Sequence, residues 1–277
     1  NLRFGYNMRI YRPGIWYLNP YLNDSNPTNI SQGNSHLDSE KSHSFNLSYS
    51  NFTQKFNINL SARYSFTNNS IEQVTEQVKD TEIEGLQNPT GKEVLYSTYQ
   101  NIGKSRNASL SGYVNWNATS NTRIYANLYG NYTYMEGANG LKNDGWNLFA
   151  YGGAQQSLPH DWRISLNIYG QTPWIMLQGK GSSFFDYGLS VNKSFLNKRL
   201  TLSAFASNFF KKYTSPTSSI EGVGFTQDSW NRYTRQRFGV SVSYRIGELK
   251  ASVKKAARTI SNDDVKGGGG EGGGGGE

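Results

Sequence analysis

From Leu2 to Ile246 the chain alternates apolar and polar residues with a period of two. That period places successive side chains on opposite faces of an extended strand. The last segment is the clearest: Phe238, Val240, Val242, Tyr244 and Ile246 share one parity, and Arg237, Gly239, Ser241, Ser243 and Arg245 share the other. Phe56, Ile58, Leu60, Ala62, Tyr64 and Phe66 alternate with Asn57, Asn59, Ser61, Arg63, Ser65 and Thr67. Ile164, Leu166 and Ile168 alternate with Arg163, Ser165 and Asn167, and Leu110, Gly112, Val114 and Trp116 with Ser109, Ser111, Tyr113 and Asn115.

About ten such segments are expected, near 2–10, 40–51, 55–78, 92–117, 121–135, 146–157, 161–172, 183–194, 198–212 and 235–246. Their connections alternate in length. Short turns fall at Asn51–Gln54, Asn117–Asn121, Leu158–Asp161 and Phe195–Lys198. Longer loops fall at Tyr11–Ser39, Lys79–Gly91, Glu136–Gly145, Pro173–Ser182 and Tyr213–Thr234. Short turns on one side and long loops on the other are the pattern of an antiparallel transmembrane β-barrel. A β-sandwich has less regular alternation of connection length and needs no aromatic rim.

Composition agrees with a wall between two solvents. Hydrophobic residues make up 35% of the 277 and mean hydropathy is −0.67, too polar for a well-filled soluble core. Aromatics reach 14%, against the expectation for a disordered chain. A barrel reconciles the two, because half of each strand faces lipid and half faces a polar lumen. No stretch approaches the roughly 20 apolar residues of a membrane helix. On the apolar parity, Tyr49, Trp116, Trp162 and Tyr244 lie near the short-turn ends and Tyr64, Tyr134, Trp146 and Tyr187 near the others, as headgroup-level girdles would.

Formal net charge is +8, carried by residues 1–247, because residues 248–277 hold five basic and five acidic residues. The basic residues are spread over many strands, which disfavours nucleic acid as a partner. Arg3, Arg9, Arg63, Arg123, Arg163, Arg237 and Arg245 all take the polar parity, which assigns them to the lumen. A lipid-facing Arg at the bilayer midplane costs about 2–4 kcal/mol, and that alone drives Arg inward. Their excess over acids also suits an acidic internal plug. Trp16, Tyr17, Trp174 and Trp230 lie in long loops and are the candidate ligand contacts, although packing of loop on loop explains them better.

Little else carries chemistry. Cysteine is absent, so there is no disulfide or thiolate site. The three histidines are His36, His43 and His160. Glu40, Ser42 and His43 are neighbours in sequence, but no motif unites a nucleophile, a base and an acid. No His, Asp or Glu cluster has metal-ligand spacing, and Asp263-Asp264 reads as a solvated pair. The reading is a non-enzyme without a cofactor. After Gly247 the alternation stops. Residues 249–260 suggest a short basic helix and 266–277 a Gly-rich flexible tail, giving a barrel portion over 1–247 and a tail over 248–277.

Arg12-Pro13, Leu18-Asn19-Pro20-Tyr21, Gly33-Asn34, Leu37 and Glu40, then Tyr99-x-Asn101-x-Gly103, then the ending Arg237 to Gly247 followed by a basic tail with Asn262-Asp263-Asp264, form an ordered set. In this the chain resembles the TonB-dependent outer-membrane receptor barrels of Bacteroidetes over residues 1 to about 266. The resemblance implies a 22-stranded barrel around an N-terminal plug, energised through TonB, that imports a large or scarce nutrient such as a metal chelate, vitamin, glycan or peptide. This sequence would be its C-terminal portion: about ten strands in outer-membrane lipid, the first strands and plug lying outside it, the tail in the periplasm. The alternatives are an outer-membrane binding or adhesion protein and a passive porin.

Overall fold

The computed structural model describes residues 1–137, 140–247 and 265–266. Ten long strands make the wall: β1 Leu2–Pro13, β2 Glu40–Phe52, β3 Phe56–Lys79, β4 Glu93–Asn117, β5 Thr122–Glu136, β6 Lys142–Leu158, β7 Trp162–Gln171, β8 Phe184–Phe195, β9 Leu200–Ser207 and β10 Arg237–Tyr244. Each pairs antiparallel with the next, so the wall is an uninterrupted meander. No pairing joins β1 to β10 among the described residues, and the sheet is open. All ten expected strands are present. The loop expected over Glu136–Gly145 is shorter, because β5 and β6 stay paired up to Glu136 and Lys142. The strand expected to reach 212 stops at Ser207, where Asn208 turns into the left-handed region with φ 48°. The basic helix, the Gly-rich run and Asp263-Asp264 lie outside the described residues.

The strand register turns the sequence parity into two continuous faces. One row runs Phe56, Trp116, Ile124, Ala154, Leu166, Leu189, Ala206 and Phe238 from β3 to β10. Another runs Tyr6, Phe45, Tyr64, Ala108, Tyr132 and Trp146. Large apolar side chains on this face are open: Phe4 is 70% exposed, Leu47 46% and Val240 78%. The opposite face carries Ser, Asn, Thr, Arg and a set of tyrosines. Its polar groups bond across strands, as where Asn107 Oδ1 accepts from Thr133 at 2.8 Å and Asn131 at 3.2 Å.

Nine to eleven tilted residues cross a bilayer. β3 and β4, with 24 and 25 residues, rise far beyond that. The departure is marked at Asn69, whose positive φ of 72° and local register shift form a bulge; Asn tolerates this backbone better than a branched residue. Beyond it the hairpin Ser70–Gly103 becomes the spine of a cap. Asn29–Ser31 adds in parallel to β4 at Leu95–Ser97 and covers its free edge. The free edge of β3 is closed by a side chain: Gln178 accepts from the Thr75 N–H at 2.7 Å and donates to the Thr75 carbonyl at 2.9 Å. A small antiparallel sheet (Ile175–Met176, Gly179–Lys180, Thr217–Gly222, Phe225–Trp230) joins the loop after β7 to the loop after β9.

The buried apolar side chains among the described residues, Ile30, Ile71, Val74, Ile83, Val94, Ile175 and Leu177, all belong to this cap. Ile30, Ile83 and Val94 form one cluster, lined by Leu22, Val78, Leu86 and Tyr96. The wall contributes none.

Candidate functional site

The polar face holds six of the seven expected arginines within strands. Arg3 pairs with Ser48, Arg9 with Ser42, Arg63 with Asn46 and Ser109, Arg123 with Asn117 and Gln155, Arg163 with Ser157 and Asn192, and Arg237 with Ser207. Arg245 follows the end of β10, where its N–H bonds to the Arg199 carbonyl at 2.8 Å. These arginines are spread over the wall rather than gathered into one cluster.

What is gathered on this face is aromatic. Tyr125 and Tyr151 have ring centroids 5.7 Å apart, Tyr151 and Tyr169 6.2 Å, Phe149 and Tyr169 5.3 Å, and Tyr169 and Phe184 4.8 Å. The rings climb β5 to β8 as a ramp from near the short turns toward the long loops. They occupy the parity otherwise given to Ser, Asn and Arg, and that out-of-place parity was the signal in the sequence. Single aromatic pairs are worth about 0.5–1.5 kcal/mol, and their half-exposed flat faces suit a flat, partly apolar ligand.

The ramp ends at an ion pair. Arg235 and Asp186 are joined by an ion-paired hydrogen bond, with both side chains about a quarter exposed. Asn208 donates to the other Asp186 oxygen at 2.7 Å and accepts from the Tyr187 N–H at 3.1 Å, which fixes the carboxylate. The Arg235 guanidinium lies 5.2 Å from the Phe184 ring centroid and 5.1 Å from that of Tyr233, whose hydroxyl it meets at 2.9 Å. Asn167, Tyr169, Asp186, Asn208, Arg235 and Arg237 line a hollow of about 500 Å³ here. The arrangement offers stacking surfaces, one anchored cation and amide groups. These are elements of recognition and supply no nucleophile paired with a base.

The expected loop aromatics do not assemble. Trp16 is 73% exposed and Trp230 65%. Trp174 packs over Gly181, where an added Cβ would meet its ring. Tyr17 instead lies 4.5 Å from Tyr99, and burial raises its phenol above the ordinary value, with Tyr99 adding to the effect. No ring contact links these four residues to one another among the described residues.

Part of the ordered sequence set converges at the bulge, whereas Arg237–Gly247 lies at the far edge of the sheet. Buried Glu40 accepts from the Ile71 N–H and from Ser70 Oγ, so it satisfies the backbone that the bulge frees. Asn101 accepts from the Asp38 N–H at 2.7 Å and donates to the Asp38 carbonyl at 2.9 Å. Asn34 donates to the Tyr99 carbonyl at 2.9 Å. Gly33 must be glycine because a Cβ would sit 2.4 Å from the Asn19 carbonyl oxygen. This cluster clasps the first loop onto the spine and is a fold device. His43 is separated from Ser42 and Glu40 by strand parity: it lies on the apolar face, where Tyr6 Oη meets its Nδ1 at 2.8 Å and Phe66 stacks at 4.9 Å.

At the far tip, Asp80 accepts from the Thr90 N–H, the Thr90 hydroxyl and the Gly91 N–H, each at 2.7 Å. The Thr90 N–H leads in holding its carboxyl below the ordinary carboxylate value, partly opposed by burial and helped by the Thr90 hydroxyl and the Gly91 N–H.

Comparison with known proteins fits this geometry. The outer membrane protein beta-barrel family matches residues 1–244. Among solved structures, the chain is similar to one titled copper transporter OprC, with a TM-score of 0.58 and 14% identity, over 88% of this chain and 37% of that one. The chain therefore spans little more than a third of that structure's length, and at this identity the likeness is one of fold. No curated protein matches the sequence.

Proposed function

We propose that this chain, which belongs to the outer membrane protein beta-barrel family, supplies wall strands and outward loops to a TonB-dependent receptor that imports a large or scarce nutrient. The observation that carries the reading is the pairing of a continuous apolar band with a polar face bearing an aromatic ramp. A passive pore needs the same apolar outside and a polar lumen, but no ramp. A ramp that ends at Arg235 and Asp186 gives a ligand a graded series of contacts from the loops inward. The edge of β10, and that of β1 up to Tyr11, call for further strands, because unpaired edges in lipid leave several kcal/mol per polar group unsatisfied. The polar face is then the lumen and its arginines meet a plug. The long loops face outward, and β10 ends at the short-turn side, which is then periplasmic. The copper in the name of the similar structure is not carried over, since the likeness is one of fold.

Two measurements on the full-length protein test this. In planar bilayers it is expected to be closed in KCl and to conduct only after urea unseats a plug, whereas a stable open channel would mean a porin. The purified C-terminal domain of TonB is expected to bind it, and absence of binding would remove the energy coupling.

A further inference from the structure

The apolar face is not free of cations, and they are not placed evenly. Lys41 on β2 and Lys104 on β4 flank Asn68 in one register row of that face, with Arg106 two residues below Lys104. Strand spacing puts the two lysines roughly 10 Å apart and Arg106 about 7 Å from Lys104. Counted from the short turns, Lys41 lies eleven residues from Phe52, and Arg106 eleven from Asn117. That length just crosses a bilayer, so all three reach the headgroup level at the loop end. The aromatic row Tyr6, Phe45, Tyr64, Tyr132 and Trp146 lies immediately below and marks the same boundary.

The contrast with the other end is informative. On β8, Lys193 also takes the apolar parity, but it is satisfied within the protein: its Nζ lies 5.3 Å from the ring centroids of both Trp162 and Phe195 and donates to the His160 carbonyl. At the loop end the acids are the ones engaged. Glu136 has Lys142 at 3.7 Å and the Tyr134 hydroxyl at 3.1 Å, and Asp144 accepts from the Tyr132 hydroxyl at 2.7 Å. Lys41, Lys104 and Arg106 are exposed, and none has a carboxylate within salt-bridge distance among the described residues. Glu136 faces Lys104 across the β4–β5 pairing and Lys142 across the next, so it offsets one charge of a row that keeps a positive excess.

We infer that Lys41, Lys104 and Arg106 form a binding site on the lipid-facing surface for a phosphorylated glycolipid headgroup of the outer leaflet. Phosphate oxygens fit the charges: Arg106 offers a planar fork for two of them, and the lysines act as point charges on a neighbouring phosphate. The acyl chains would lie along the exposed column of Phe45, Leu47, Leu60 and Leu110. Such a lipid would hold the base of the cap hairpin at the membrane boundary.

The inference rests on the outward orientation of the long loops. The chain has no cysteine, so labelling above that of the unsubstituted full-length protein reads the orientation separately. Val223→Cys in the loop after β9 is expected to react with an impermeant maleimide on intact cells, and Ser120→Cys only after permeabilisation. The reverse would overturn the orientation and the proposal together. The full-length protein in phosphatidylcholine nanodiscs doped with lipid A is then compared by native mass spectrometry with Lys41→Gln/Lys104→Gln/Arg106→Gln. Each charge near a headgroup layer is worth about fivefold in retention, roughly a hundredfold for three. Arg63→Gln, on the opposite face, is expected to retain lipid as the parent does. Dephosphorylated lipid A is expected to be lost from both proteins alike. Equal retention by the parent and the triple variant, or no preference for the phosphorylated lipid, would overturn the site while leaving the orientation intact. If the triple variant does not insert, Arg106→Gln alone is expected to lower retention about fivefold, and unchanged retention would overturn the site.

Discussion

The wall and the cap share two strands, β3 and β4, yet they are stabilised in different ways. Below Asn69, β3 and β4 show Leu60 and Leu110 to the outside at 44% and 63% exposure. Above it, Ile71, Val74 and Val94 are nearly inaccessible. The wall needs no core because lipid covers its apolar face and strand neighbours satisfy its backbone. The cap stands in water, and a bare two-stranded hairpin there would be marginal. It therefore recruits Ile30 from the first loop and Gln178 from the loop after β7. One change of solvent along one hairpin converts a periodic surface into a packed unit.

The sharpest way to break this comparison is to disturb each region by its own rule. Ile30→Ala removes a side chain that is only 2% exposed and should cost the cap about 2–5 kcal/mol. The wall should be unaffected: heat-modifiable migration of the full-length protein is expected to persist while hydrogen exchange rises across Asp80–Glu93 and Asn29–Ser31. Loss of membrane assembly in this variant would mean that the cap and wall fold as one unit. Leu47→Arg is the converse. It sets a charge near the middle of the apolar face, at about 2–4 kcal/mol, and should lower assembly yield sharply. Asn46→Arg, one residue away on the polar face, should assemble as the parent does. Equal yields for the two would dissolve the assignment of faces.

The wall was legible in the sequence because its rule is local. Alternation at Phe56 to Phe66 or Phe238 to Tyr244 states the face of each side chain without knowledge of any partner. The cap was not, because its core is assembled from Ile30, Ile83, Ile175 and Leu177, which come from three separate loops and follow no period. The great length of β3 and β4 was visible, but not that their upper halves serve as a spine. The ordered set around Gly33-Asn34, Glu40 and Asn101 was visible as a resemblance. Its physical meaning, capping a bulge and clasping a loop, needed the register. The aromatic ramp lay between these cases: Tyr125, Tyr151 and Tyr169 stand on the polar parity in plain sight, and only the strand pairing brings them into line.

The smallest expected effect separates the regions by pH. The Asp80 carboxyl is held below its ordinary value by hydrogen bonds from the Thr90 N–H, the Thr90 hydroxyl and the Gly91 N–H. A group whose folded pKa is depressed contributes stability above its unfolded value, about 3.9 for aspartate, and that contribution is lost as pH falls through the folded value. The tip from Asp80 to Lys92 should therefore hold its protection from neutrality down to about pH 4 and loosen below it. The wall over Phe56–Thr67 of β3 and Ser105–Trp116 of β4 should keep its protection, because those stretches carry no acid. Asp80→Asn should lower protection of the tip at pH 7 and remove this step on acidification. A step of the same size in Asp80→Asn would assign the acid response to another group in the cap, and a matching step in the wall would show that the two regions are not independent.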